Sequence, residues 1–208
     1  MKKILAGIIC GLTISLAAHS YPINQAIKVP STTTKPLLDG QCDDREWQPA
    51  HKLQLPAKVS ILLMNDSESF YICMKGKKND YTTADIYIEH PESKSLWNLH
   101  ASAQIGEREF DGKQWPDFDW WNHQQWSAFW VPFSGSKETD KGTQIEFLKG
   151  THREFQILRS KFSGNTWRVM LRVGGINHQN SGRANLFYPQ EAKDTSSENW
   201  MTIQLTSR

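Results

Sequence analysis

Apolar and polar residues alternate along much of the chain beyond residue 36. Val59, Ile61 and Leu63 are spaced by two, as are Phe70, Ile72 and Met74, and Ile86 and Ile88 lie between Asp85, Tyr87 and Glu89. Successive side chains of a strand point to opposite faces, so each run predicts a strand with one face in a core and one toward water. Asn65-Asp66-Ser67 and Lys75-Gly76-Lys77 separate these runs with turn residues. Leu96 to Ile105 predicts another strand, and Trp200 to Leu205 ends the chain as one. Glu154 to Lys161 and Trp167 to Val173 flank Phe162-Ser163-Gly164-Asn165-Thr166, whose Gly and Asn accept the positive φ of a tight turn, and this predicts a hairpin. Helical periodicity is nearly absent. The one predicted helical turn follows Cys42, where Asp43 and Glu46 have capping-box spacing, and Pro49 stops it. There is no internal repeat. The pattern predicts an all-β fold, an antiparallel β-sandwich of jelly-roll or immunoglobulin-like type with at most short helical turns.

The first residues change the picture of where this sandwich folds. Lys2 and Lys3 precede an apolar run from Ile4 to Ala18 that is too short to anchor in a bilayer, and Ala18 and Ser20 occupy the positions a signal peptidase reads. Residues 1–20 are expected to be a signal peptide, cleaved before Tyr21. Cys10 follows Gly7, Ile8 and Ile9, which does not match a lipid-modified cysteine. Residues 21–35, with two prolines and a Ser-Thr-Thr-Thr tract, are expected to form an extended leader over the surface, and residues 36–208 one domain. The expected location is secreted or periplasmic, with no transmembrane anchor in the mature chain. The signal lysines account for the excess of 24 basic over 22 acidic residues. The remainder has no net basic field, which argues against nucleic acid or an acidic membrane surface as partner.

With Cys10 removed, Cys42 and Cys73 remain. An even pair in an oxidising compartment reads first as a structural disulfide, with two buried free thiols as the alternative. A bridge closing that loop contributes on the order of 3 kcal/mol in the chain-entropy account.

The stretch from Leu38 to Ala50 contains Asp39-Gly40, the acidic pair Asp43-Asp44, then Trp47 and Ala50. It resembles the opening of family 9 carbohydrate-binding modules and the wider DOMON-like group. Glu68 to Met74, and Arg153 to Ile157 with its Glu154-x-x-Ile157, resemble further segments of that group. The resemblance implies a β-sandwich that often binds sugars and sometimes haem. Between these segments the chain departs from the pattern, so the family's ligand residues are not carried over.

Five of nine tryptophans fall between Trp115 and Trp130, interleaved with Asp, Asn, Gln and His. A sugar ring has an apolar CH face and a rim of hydroxyls, so its site needs flat aromatic surfaces beside short hydrogen-bonding groups. Trp115, Asp117, Asp119, Trp120, Trp121 and Asn122 supply both. His100, Ser102 and Gln104 alternate on a predicted strand nearby, and that face either lines a pocket or meets solvent. Core packing competes with ligand contact for each indole, and is the favoured reading for Trp126 and Trp130, which with Ala128 would share one strand face.

No catalytic motif is present: there is no nucleophile elbow, zinc-binding His-Glu-x-x-His or phosphate-cradling glycine loop. His100 with Ser102 and Asp117 with Asp119 are unspecific pairings. The histidines are scattered, so no metal or cofactor is expected. Haem held by Met64 or Met74 with a histidine is the third reading, and calcium on Asp43, Asp44 or Asp85 is weaker than simple solvation of these groups. The sequence points to an exported, non-catalytic carbohydrate-binding domain taking an oligosaccharide or polysaccharide through exposed Trp residues. The rival class is a structural or envelope interaction protein whose tryptophans are internal.

Overall fold

The computed structural model of the chain describes residues 26–42, 45–131, 133–147, 150–178 and 182–206. The expected signal peptide lies outside them, as do Asp43 and Asp44 with their capping box. The strands run in chain order as β1 (Ile27–Val29), β2 (His51–Gln54), β3 (Ser60–Asn65), β4 (Ser69–Lys75), β5 (Thr83–Glu89), β6 (Leu96–Ala101), β7 (Ile105–Glu109) and β8 (Asp119–Trp120). They continue as β9 (Trp126–Ala128), β10 (Phe133–Thr139), β11 (Gly142–Phe147), β12 (His152–Leu158), β13 (Thr166–Asn177), β14 (Arg183–Tyr188) and β15 (Met201–Leu205). A four-residue helical turn, α1 (Arg159–Phe162), follows β12.

Two sheets face each other. The larger has the order β1-β15-β13-β5-β6-β7-β8 with β14 beside β13, the smaller the order β2-β3-β4-β12-β9, and β10-β11 form a separate two-stranded ribbon. All the pairings between these strands are antiparallel except β1 with β15. The alternating residues meet between the sheets: Ile61, Leu63, Ile72 and Phe155 from one side pack with Ile86, Leu99, Val169 and Ile203 from the other. Each such fully buried side chain is worth roughly 1.5–3 kcal/mol in water-to-core transfer.

The strand boundaries differ from expectation in three places. Leu96 to Ile105 is two strands, because Ser102 to Gln104 form the turn that folds β7 back on β6. Ser102 and Gln104 are thus turn residues. The run from Glu154 leaves the sheet at Leu158 and finishes in α1. Phe162 to Thr166 is a crossover, since β12 belongs to the smaller sheet and β13 to the larger. The positive φ at Ser163 and Gly164 reverses the chain as expected, but into the opposite layer. Within the segment expected to run over the surface, Ile27–Val29 pair with β15 and Val29 is buried.

The stretch from Leu38 to Ala50 is fastened to the smaller sheet by one carboxylate. Glu154 of β12 accepts the backbone N–H groups of Gly40 at 2.6 Å and Cys42 at 3.1 Å, and the Trp47 indole N–H at 3.2 Å. Cys42 and Cys73 form a disulfide, with Cα atoms 6.1 Å apart, inside a cluster that includes Trp47, Met64 and Tyr71. Gly40 has φ +79°, and a Cβ there would lie 2.3 Å from the Phe129 ring, so both turn and packing require glycine.

The tryptophans divide into classes. Trp47, Trp126, Trp167 and Trp200 are buried, and each donates its indole N–H, to Glu154, Glu107, the Ser163 carbonyl and the Lys193 carbonyl respectively. Trp97 and Trp115 are half-buried. Trp120, Trp121 and Trp130 are exposed. Trp126 packs in the core as expected; Trp130 does not, because β9 ends at Ala128 and the chain turns out of the sheet before reaching it.

Candidate functional site

Strand alternation that sends Ala84, Ile86 and Ile88 into the core sends Thr83, Asp85 and Tyr87 to the outer face of the larger sheet. Cross-strand register then sets Phe187, Arg172, Asp85, His100, Gly106 and Trp120 side by side on β14, β13, β5, β6, β7 and β8. Five strand spacings separate the terminal aromatics, about 24 Å. Gly106 permits this row to close: a Cβ there would stand 2.9 Å from the Asp119 carbonyl and 3.0 Å from the Trp120 ring, so any larger residue pushes β8 away.

The centre of the row is polar and tightly bonded. Asp85, with its side chain 2% exposed, accepts from Arg172 Nη1 at 2.5 Å and meets His100 Nδ1 at 2.8 Å. Burial pushes the Asp85 carboxyl up, but the hydrogen bond and charge of His100 and the charge of Arg172 outweigh it and hold the group below the ordinary carboxylate range. His100 Nε2 reaches Ser102 Oγ at 2.9 Å, and Arg172 Nη2 donates to Asn185 Oδ1 at 3.1 Å. Five polar side chains are thus fixed in place before any ligand arrives.

Aromatic rings stand at both ends. Trp120 lies 4.8 Å from Phe118, tilted by 33°, and both meet the His100 ring. Phe187 stands at the other end, and Tyr81 lies off the row just before β5, its N–H bonded to the Gly175 carbonyl and its ring under Arg183. Along one side the face is closed: Tyr87, Met170 and Trp200 form a buried cluster with Phe110 and Trp115 over it. What remains open is a strip with a polar floor and aromatic ends.

Of the expected site residues, the structure brings His100 and Trp120 together on this strip. Trp115 lies beside it, half-buried under the Arg108 guanidinium and against Tyr87, its indole nitrogen without a partner. Asp117 is exposed on the loop before β8, and Asp119 accepts from Asn122. Gln104 is exposed in the β6–β7 turn. Trp121 has φ +67°, which turns it away from Trp120 to meet Trp130 edge-on at 6.0 Å. Arg172, Asn185, Phe187 and Tyr81 carry no site signal in the sequence, and Asp85 stands there only as a calcium candidate; the alternation Arg183-x-Asn185-x-Phe187 does mark one outward face. Met64 and Met74, considered for haem, are both enclosed in packed clusters. Among the described residues no three or more His, Cys, Asp or Glu gather as a metal-binding group.

Hollows of about 720 and 380 Å³ open elsewhere, along Ser31–Thr33, one beside Arg45 and Glu46 and the other beside Asp66 and Glu68. Neither is lined by an aromatic ring, so neither offers the stacking surface of the strip.

No family model and no curated protein sequence matches this chain. A solved structure with a similar fold is that of a candidate carbohydrate-binding protein from Bacteroides uniformis ATCC 8492. It is 9% identical with a TM-score of 0.53, over 87% of this chain and 97% of that one. At that identity the likeness is one of fold.

Proposed function

We propose that this protein is an exported, non-catalytic glycan-binding protein, and that the strip between Trp120 and Phe187 is its binding face. The observation that carries the reading is the distribution of exposed rings. Six large apolar side chains are exposed among the described residues; two of them, Trp120 and Phe187, end one pre-bonded polar row, and a third, Tyr81, lies off that row just before β5. Indole and phenyl faces take the CH face of a sugar, while Arg172 and Asn185, held in place by the buried Asp85–His100 pair beside them, present donors and an acceptor to hydroxyls. A floor ordered in advance loses little conformational entropy on binding.

Two further facts support the reading. The solved protein of similar fold is described as a candidate carbohydrate-binding protein. The opening from Leu38 to Ala50, which resembles family 9 carbohydrate-binding modules, is fastened by Glu154, another residue of that resemblance. Export is supported by the disulfide, which belongs to an oxidising compartment, and by the signal-like start. No helix among the described residues is long and apolar enough to cross a membrane.

The test is a glycan array probed with the mature chain and its Trp120→Ala variant. The reading requires a bound glycan class whose signal is lost in the variant. A blank array, or signals that the substitution leaves untouched, overturns it.

A further inference from the structure

Resting on that reading, we propose that the glycan bound at this face is acidic, carrying carboxylate or sulfate groups that Arg183 and Arg108 receive at opposite ends of the strip.

Asp85 and Glu89, the carboxylates of β5, are both in ion pairs, and these two arginines stand outside those pairs. Asp85 is matched by Arg172 and His100, and Glu89 by Lys94 and Arg168. Arg183 and Arg108 have no carboxylate of the described residues within ion-pair distance. Strand alternation places both on the ligand side: Arg183 shares the outward face of β14 with Asn185 and Phe187, and Arg108 follows Gly106 by two on β7.

Both guanidiniums stand over aromatic rings. Arg183 Cζ lies 4.1 Å from the centroid of Tyr81, and Arg108 Cζ lies 4.1 Å from that of Phe118 and 5.1 Å from that of Trp115. A guanidinium held over a ring still carries its N–H donors in its own plane, and that fork matches the paired oxygens of a carboxylate or sulfate. Arg108 spends part of its fork, donating Nε to Asn98 at 3.0 Å and Nη1 to the Pro116 carbonyl at 3.3 Å, which fixes its orientation. The carboxylate of Asp117 is exposed near that end, so the Arg183 end is the more strongly cationic. A neutral sugar needs no such pair of uncompensated charges, whereas an acidic chain spanning the strip meets one at each end.

The test is calorimetric titration of the mature chain with three probes of equal length: a cello-oligosaccharide, an oligogalacturonide and a sulfated heparin-derived oligosaccharide. The proposal predicts that one or both acidic probes bind at least about tenfold more tightly than the neutral one, with affinity falling roughly fivefold or more from about 0.05 to 0.5 M salt. Arg183→Gln, at an exposed position whose loss leaves the fold intact, should remove most of that preference, and Arg108→Gln should act in the same direction. The two acidic arms show which group is read. Equal or tighter binding of the neutral probe, or an acidic preference that Arg183→Gln leaves unchanged, overturns the proposal while the glycan-binding reading stands. Binding of none of the three overturns the proposal, and the glycan array decides whether the glycan-binding reading falls with it.

Discussion

Asp85 and Arg172 are 87 residues apart in sequence and meet at 2.5 Å across the register of β5 and β13. Their contact, continued through His100, makes one bonded row of groups that arrive from three strands. Breaking it leaves a buried charge without its partner, so such networks hold their geometry firmly.

Removing an aromatic end should separate binding from stability. Trp120→Ala and Phe187→Ala are expected to weaken glycan binding at least tenfold and to cost no more than about 1 kcal/mol of stability, because both rings are partly in water. Trp167→Ala, in the core, is expected to cost about 3–5 kcal/mol. Denaturant titrations beside binding titrations check both.

The sandwich was legible in the sequence because the core positions of β3, β4 and β5 recur with period two, although the other face of β3 and β4, expected to meet water, is buried under Cys42 and Trp47; the disulfide was legible because Cys42 and Cys73 are the pair outside the expected signal segment. The site was legible only in part. His100 and Trp120 stood out by type and neighbourhood, but Arg172, Asn185, Phe187 and Tyr81 come from separate segments and are joined only by cross-strand register. An outward face that binds a ligand alternates as does one that merely meets solvent. The aromatic segment from Trp115 to Trp130 reads as one cluster, yet the positive φ at Trp121 splits it, sending Trp120 to the strip and Trp121 to Trp130.

Acid should weaken the fold through carboxylates held below their ordinary range. Burial pushes Asp80 up, but the N–H groups of Lys77 and Asn177 and the Lys77 ammonium outweigh it. Its folded value therefore lies below the unfolded 3.8. Its contribution is complete above about pH 4 and is lost as pH falls through the folded value. Asp80→Asn is expected to lose about 2 kcal/mol at pH 7, with the gap to the native protein closing below pH 4 in urea titrations.

Glu154 should behave with the opposite sign. Burial raises its carboxyl above the unfolded 4.5, against the hydrogen bonds from Gly40, Trp47 and Cys42. The folded state holds this proton more tightly, so stability from this group increases as pH falls through the raised value toward 4.5. Glu154→Gln, with one acceptor oxygen for three donors, is expected to cost about 2 kcal/mol at pH 7. The deficit should widen as pH is lowered toward 4.5, and a constant deficit would contradict the assignment.

Reduction tests the staple. Opening the Cys42–Cys73 bridge, which closes a separation of 31 residues, is expected to lower stability by about 3 to 4 kcal/mol. Thiol titration of the unfolded protein without reductant should find no reactive Cys42 or Cys73.

The location of the ligand is the central claim, and indole N–H resonances read it directly. In a nitrogen-15 labelled sample titrated with a glycan that binds, the Trp120 signal should shift progressively while those of Trp47, Trp126 and Trp167 stay fixed. Shifts confined to Trp121 and Trp130, with Trp120 unmoved, would place the sugar on the other aromatic pair and contradict the account.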